Sequence, residues 1–203
     1  MTLPSRPARA DSVRNRESLL AAAEYEFAAS GPDASVADIT ARAGVGKGTF
    51  FRHFATKDDL LAAIVERHVD DLVTEGRQLL ELDDAVEALF SFMAMSAERR
   101  RQHGVEFLLR AGRSTPTWDD LHDRFLGIVS ALLARAQQAG AVRADITPVD
   151  IVLLACAPTH IVEPSASGTR AELGQRYLAV ILDGLLTPNP RPLPTISAST
   201  ASL

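Results

Sequence analysis

Lys47, Thr49, Phe51, Arg52 and His53 crowd into seven consecutive residues, and Lys57 follows four positions later. Cations, a hydroxyl and an aromatic ring in one short patch are the groups that hold phosphate oxygens and meet base edges. Other chemistry fits less well. A metal site would need a second His, Cys or carboxylate at ligand spacing from His53, and none stands there. Gly44-Val-Gly-Lys-Gly-Thr49 has the look of a nucleotide-binding loop. That loop requires Gly, four residues, then Gly-Lys-Ser/Thr; here position 41 is Ala, Gly48 follows Lys47, and no strand signal precedes it. The chain carries no nucleophile elbow, His-Glu-x-x-His or paired cysteines, so an all-α ligand-processing enzyme is a minor alternative. Arg99-Arg100-Arg101 reads as a solvated helix end. Arg6 and Arg9 read either as an arm reaching a minor groove or as chain that contributes nothing.

Two short helices must position the patch. Val36, Ile39 and Ala43 form an apolar stripe, Gly44 ends that helix, Val45 fills the turn, and Phe50 with Phe54 makes the stripe of a second helix. A longer helix precedes them, with Leu20, Ala23 and Phe27 on one face and a stop at Gly31-Pro32. This is a helix-turn-helix arrangement, which offers the start of its second helix to the major groove. Ser35-Val-Ala-Asp38 and Thr56-Lys-Asp-Asp59 have the form of capping boxes, and Thr115-Pro116 and Thr147-Pro148 the form of helix starts. The spacing predicts helices over 12–30, 36–43, 47–53, 57–81, 84–100, 102–111, 117–139, 148–160 and 170–186, with no strands and no repeat. The expected fold is all-α: an N-terminal three-helix helix-turn-helix domain plus a C-terminal helical bundle. Residues 1–11 are expected as a disordered arm. The proline-rich stretch 188–203 lacks an apolar period and is expected as a disordered tail.

The run from Ser35 to Phe54, followed by Thr56-Lys-Asp-Asp-Leu-Leu61, resembles the DNA-binding domain of the TetR family of bacterial regulators. The resemblance reaches back to Phe27-x-x-x-Gly31 and spans about residues 14–65. It implies that Thr49 touches DNA from the start of the recognition helix and that His53 and Lys57 grip the backbone. Ser35 would offer its helix N-terminus to a phosphate. Lys47 and Gly48 stand where members vary with operator sequence. Phe51 stands where Tyr is usual, without the hydroxyl that would reach a phosphate. Phe50, Phe54 and Leu60 should be core.

For the rest of the chain the resemblance implies a ligand-binding and dimerisation domain over 57–187, after a DNA-binding domain over 12–56. Phe90, Phe92, Met93, Phe107, Trp118 and Phe125 would then line an effector pocket, with His103, Arg110, His122 and Glu163 as candidate polar anchors. Ile151, Leu154, Leu178, Ile181, Leu182 and Leu185 would form a two-fold interface. Composition agrees with a globular chain: 46% hydrophobic and 23% charged over 203 residues. The net charge of −5 is no obstacle to DNA binding. Residues 1–68 balance 9 Lys/Arg against 9 Asp/Glu, so the acidic excess lies behind the patch, and local field decides. The single cysteine, Cys156, excludes an intramolecular disulfide. No apolar run reaches membrane length and no signal core opens the chain, so a cytoplasmic protein is expected. The expectation is a homodimeric repressor on a palindromic double-stranded DNA operator, released by a small-molecule effector, with no cofactor and no metal. An architectural DNA-binding dimer without effector is the alternative.

Overall fold

The computed structural model describes residues 6–102, 117–161, 170–186 and 190–194. Among them are eight helices and no strand: α1 Arg6–Ser30, α2 Val36–Ala43, α3 Lys47–His53, α4 Lys57–Leu79, α5 Ala85–Gln102, α6 Trp118–Gln138, α7 Pro148–Ile161 and α8 Arg170–Leu185. A single 3-10 turn, Gly31–Asp33, joins α1 to α2. The helix expected over 102–111 lies outside the described residues, except for Gln102 at the end of α5.

α1 begins at Arg6, so residues 6–11, expected as a disordered arm, are helical instead. The reason is local: Pro7 falls in the first turn, where no N–H partner is needed, and Ala8 and Ala10 favour helix. Elsewhere the starts follow the capping chemistry. Ser35 accepts a hydrogen bond from the Asp38 N–H at 3.1 Å, and its hydroxyl donates to the Asp38 carboxylate at 2.5 Å. Thr56 and Asp59 exchange bonds reciprocally at 2.9 and 3.0 Å, and Thr147 with Asp150 does the same at 2.8 and 3.3 Å. Asp84 caps α5 through the N–H groups of Val86 and Glu87.

The chain divides into two compact units, Met1–Glu75 with Met95–Phe125 and Gly76–Ala94 with Leu126–Leu203. In the first, Leu20, Ala23 and Phe27 of α1 are buried as their spacing predicts, with Leu19 beside them, and so are Ile39, Phe50, Phe54, Leu60 and Ile64. In the second, Leu89, Phe92 and Met93 of α5 are buried, with Leu132, Leu133 and Ala136 of α6, Ile151 and Ala155 of α7, and Leu178 and Leu185 of α8. Packing is tight where α4 ends. A Cβ on Gly76 would lie 2.9 Å from the Ile128 Cγ2 and 3.0 Å from the Phe92 ring. Arg135 donates to the carbonyls of Leu80 and Leu82 at 2.6 and 2.7 Å, satisfying acceptors left over at that helix end.

Pro190–Pro194, expected within a disordered tail, is held against the turn between α6 and α7. The Arg191 carbonyl accepts from Arg143 at 2.8 Å, and the Leu193 N–H donates to Asp145 at 3.2 Å. Composition suggested disorder because prolines cannot make helix. They also lower the entropy cost of an extended chain, which a few hydrogen bonds then hold.

Candidate nucleic-acid interface

The turn between α2 and α3 depends on one residue. Gly44 adopts φ 68° and ψ 27°, the left-handed region, and its N–H bonds back to Thr40 and Ala41 carbonyls. Val45 then donates to the Thr40 carbonyl at 3.1 Å, so the chain reverses within two residues. Gly46, in an extended conformation, caps α3 and accepts from the Thr49 N–H at 2.9 Å.

α3 is seven residues long and two-faced. Phe50 and Phe54 point inward, both buried, with ring centroids 5.9 Å apart. Arg16 of α1 lies over the Phe54 ring at 5.1 Å and closes that side of the core. The other face carries Lys47, Gly48 and Arg52, all exposed, with Thr49 and His53 half-buried. Phe51 is 57% exposed, its ring edge-on to the buried Phe50 at 5.1 Å, so it adds an apolar surface to the same outward face. No ion pair among the described residues engages Lys47, Arg52 or His53; Lys47 and Arg52 are exposed and His53 stands half-buried on the same helix.

Lys57 and Ser35 have more local work. The Lys57 amine donates to the Ala34 carbonyl at 3.2 Å, tying the start of α4 to the entry of α2. The Ser35 hydroxyl is occupied by Asp38, and that carboxylate already sits on the positive end of α2. What Ser35 leaves for a phosphate is backbone N–H, weakened by Asp38.

Ion pairs invisible in local spacing brace the unit. Arg42 of α2 reaches Glu26 at 2.5 Å and lies over the Tyr25 ring at 3.5 Å. Arg67 of α4 reaches Glu24 at 2.5 Å and Glu17 at 3.2 Å, and His68 Nε2 stands 3.0 Å from the same Glu24 carboxylate. Burial pushes the Glu24 carboxyl up, but the hydrogen bonds from His68 and Arg67 outweigh it and hold it below its ordinary 4.5. Among the described residues, no group of three His, Cys, Asp or Glu could hold a metal ion.

Residues 19–64 match the family model for bacterial regulatory proteins of the tetR family, and residues 84–187 match the C-terminal domain of SbtR-like transcriptional regulators. The chain belongs to the TetR family. The HTH-type transcriptional repressor KstR2 of Rhodococcus jostii is 28% identical over 93% of this chain and 100% of its own. The activator FasR of Mycolicibacterium smegmatis is 39% identical over 95 residues, 42% of this chain and 43% of that one. A TetR regulatory protein from Mycobacterium vanbaalenii, known by crystal structure, is 35% identical, covers 89% of this chain and all of its own, and superposes with a TM-score of 0.64. This TetR-family chain is therefore a DNA-binding transcription regulator whose N-terminal helix-turn-helix carries the outward face of α3.

The other residues singled out in this TetR-family chain fall in several places. Phe92 and Met93 are buried in the second unit and Phe90 is half-buried there. Trp118, His122 and Phe125 are half-buried on α6 in the first unit, Trp118 stacked on His122 at 5.8 Å. Phe107, Arg110, His103 and Glu163 lie outside the described residues. Ile151, Leu178 and Leu185 pack into the core of their own unit, whereas Leu154, Ile181 and Leu182 are half-buried. Among the described residues, the exposed large apolar side chains of α7 and α8 are Val149, Leu153, Tyr177 and Val180, none of them among the expected interface set. No helix among the described residues is long and apolar enough to cross a membrane.

Proposed function

We propose that this regulator acts as a homodimeric repressor. Each protomer lays α3 in a major groove of a palindromic operator, and a small-molecule effector lowers that affinity. The outward face of α3 carries the reading: Lys47, Arg52 and His53 give phosphate and base contacts, Thr49 adds a hydroxyl, and Phe51 offers a face to a thymine methyl or a sugar. Lys57 and the N-terminus at Ser35 add backbone contacts beside it. Repression is supported by KstR2, a repressor matched along its full length.

Dimerisation is supported by the exposed apolar side chains of α7 and α8, which a monomer would leave in water. Sensing is supported by the half-buried Trp118–His122 stack, an aromatic surface to which a ligand's apolar body can add a layer.

Selection from a pool of random duplexes tests the whole. It should enrich a sequence with two inverted half-sites about 34 Å apart, bound by two protomers. Enrichment of a single asymmetric site, or of nothing, would overturn the reading. In a reporter strain the selected site should silence a promoter that overlaps it, and activation there would replace repressor by activator.

A further inference from the structure

The turn joining α6 to α7 is unusually well tied. Gln137 donates to the carbonyls of Arg143 and Ile146 at 3.1 and 3.0 Å, and the Arg143 N–H donates to the Leu185 carbonyl at the end of α8. Val142 and Ile146 are buried beneath it. On this base the Arg143 guanidinium, its side chain 12% exposed, pairs bidentately with Asp145 at 2.6 and 2.8 Å. The Arg143 hydrogen bond is the main force holding the Asp145 carboxyl at about 2, and the Leu193 N–H adds to it. The pair presents one donor and one acceptor outward, and both are used by the segment Pro190–Pro194: Arg143 Nη2 to the Arg191 carbonyl, Asp145 Oδ2 to the Leu193 N–H.

The sequence of the segment matches this two-point grip. In an extended chain, residues two apart present their backbone polar groups to the same edge. Arg191 and Leu193 share one edge and meet the pair; Pro190, Pro192 and Pro194 alternate with them and have no N–H to leave unsatisfied on the other. A shift of one residue would put a proline opposite Asp145, where no hydrogen can be donated. Arg191 and Leu193 each precede a proline, which biases them toward the extended conformation before docking.

We propose that Arg143 and Asp145 form a peptide-binding site for an extended segment with proline at every second position, occupied in this chain by its own Pro190–Pro194. Recognition runs through the backbone, so the side chains of Arg191 and Leu193 stay exposed while the chain is held. The backbone N–H of Arg143 separately holds the Leu185 carbonyl at the end of α8.

Amide exchange in the full-length 15N-labelled protein tests this, with a synthetic peptide of residues 187–197 as the unbound reference. The Leu193 amide should exchange about two- to tenfold more slowly than in the peptide, the range for one exposed hydrogen bond. Leu193→Ala should keep that protection at position 193, and Asp145→Ala should abolish it. Leu193→Pro, which deletes the N–H but keeps the extended backbone, should shift the Arg143 Nε–H resonance, whereas Leu193→Ala leaves it in place. Exchange at the peptide's rate in the parent, or protection that survives Asp145→Ala, overturns the proposal. Should Asp145→Ala fail to fold, an Arg143 resonance unmoved by Leu193→Pro does the same.

Discussion

At the level of single residues, the proposed interface has side chains that hold phosphate, His53 and Lys57, beside Lys47 and Thr49, which stand where base edges are read. On that reading Lys57→Ala and His53→Ala should weaken binding to every duplex, because phosphate contacts do not distinguish bases. Lys57→Ala should also reduce the salt dependence by about one unit of slope, measured by anisotropy across a salt series with circular dichroism unchanged. Equal slopes in parent and variant would remove Lys57 from the interface. Glu24 makes a different prediction. Its folded carboxyl lies below its ordinary 4.5, so its contribution to stability is complete above that pH and fades as pH falls through the lowered value. Glu24→Gln should therefore melt below the parent near neutrality, and the gap should close on acidification; a gap that widened would be the wrong sign. The α3 patch was legible in the sequence because its members follow one another within two turns. The Glu24–Arg67–His68 cluster was not, since its partners stand 43 residues apart and spacing rules for ion pairs hold only within one helix.

Among the helices, three glycines separate the reasons a helix uses or tolerates that residue. Gly44 has open space around a would-be Cβ but a positive φ, so Gly44→Ala should cost ~1–2 kcal/mol through backbone strain alone. Gly127, inside α6 with nothing within 4 Å, is the reverse: Gly127→Ala should stabilise by up to ~1 kcal/mol. At Gly76 the same helical gain meets Ile128 and Phe92 at about 3 Å, and overpacking of ~1–3 kcal/mol should win. Urea denaturation of the three variants checks all signs together, and a stabilised Gly76→Ala would show that the buried rings yield easily. Helix bounds were readable wherever a side chain caps the start: α2, α4 and α7 begin where Ser35, Thr56 and Thr147 place them. The start of α1 was misplaced because its first turn is set by Pro7 and alanines, which announce no boundary.

For the whole molecule, the proposed two-fold contact turns on which side of each helix is left free by its own unit's core. α7 is apolar nearly all round, and period alone does not say which side faces its own core. Leu178→Glu should unfold the protomer, because that side chain is buried within it. Val180, 66% exposed, and Leu153, 47% exposed, are the sites where Glu should separate protomers without unfolding them. Sedimentation velocity with circular dichroism distinguishes the outcomes: a folded monomer from Val180→Glu supports the interface, and an intact dimer from both exposed-site variants removes it. The alternating prolines of 190–194 bear on the molecule's behaviour in a crowded solution. A strand edge rich in N–H groups invites a stranger's strand to add on, the first step toward fibrils. Here the outer edge offers no donor at positions 190, 192 or 194, so this segment makes a poor template for an added strand.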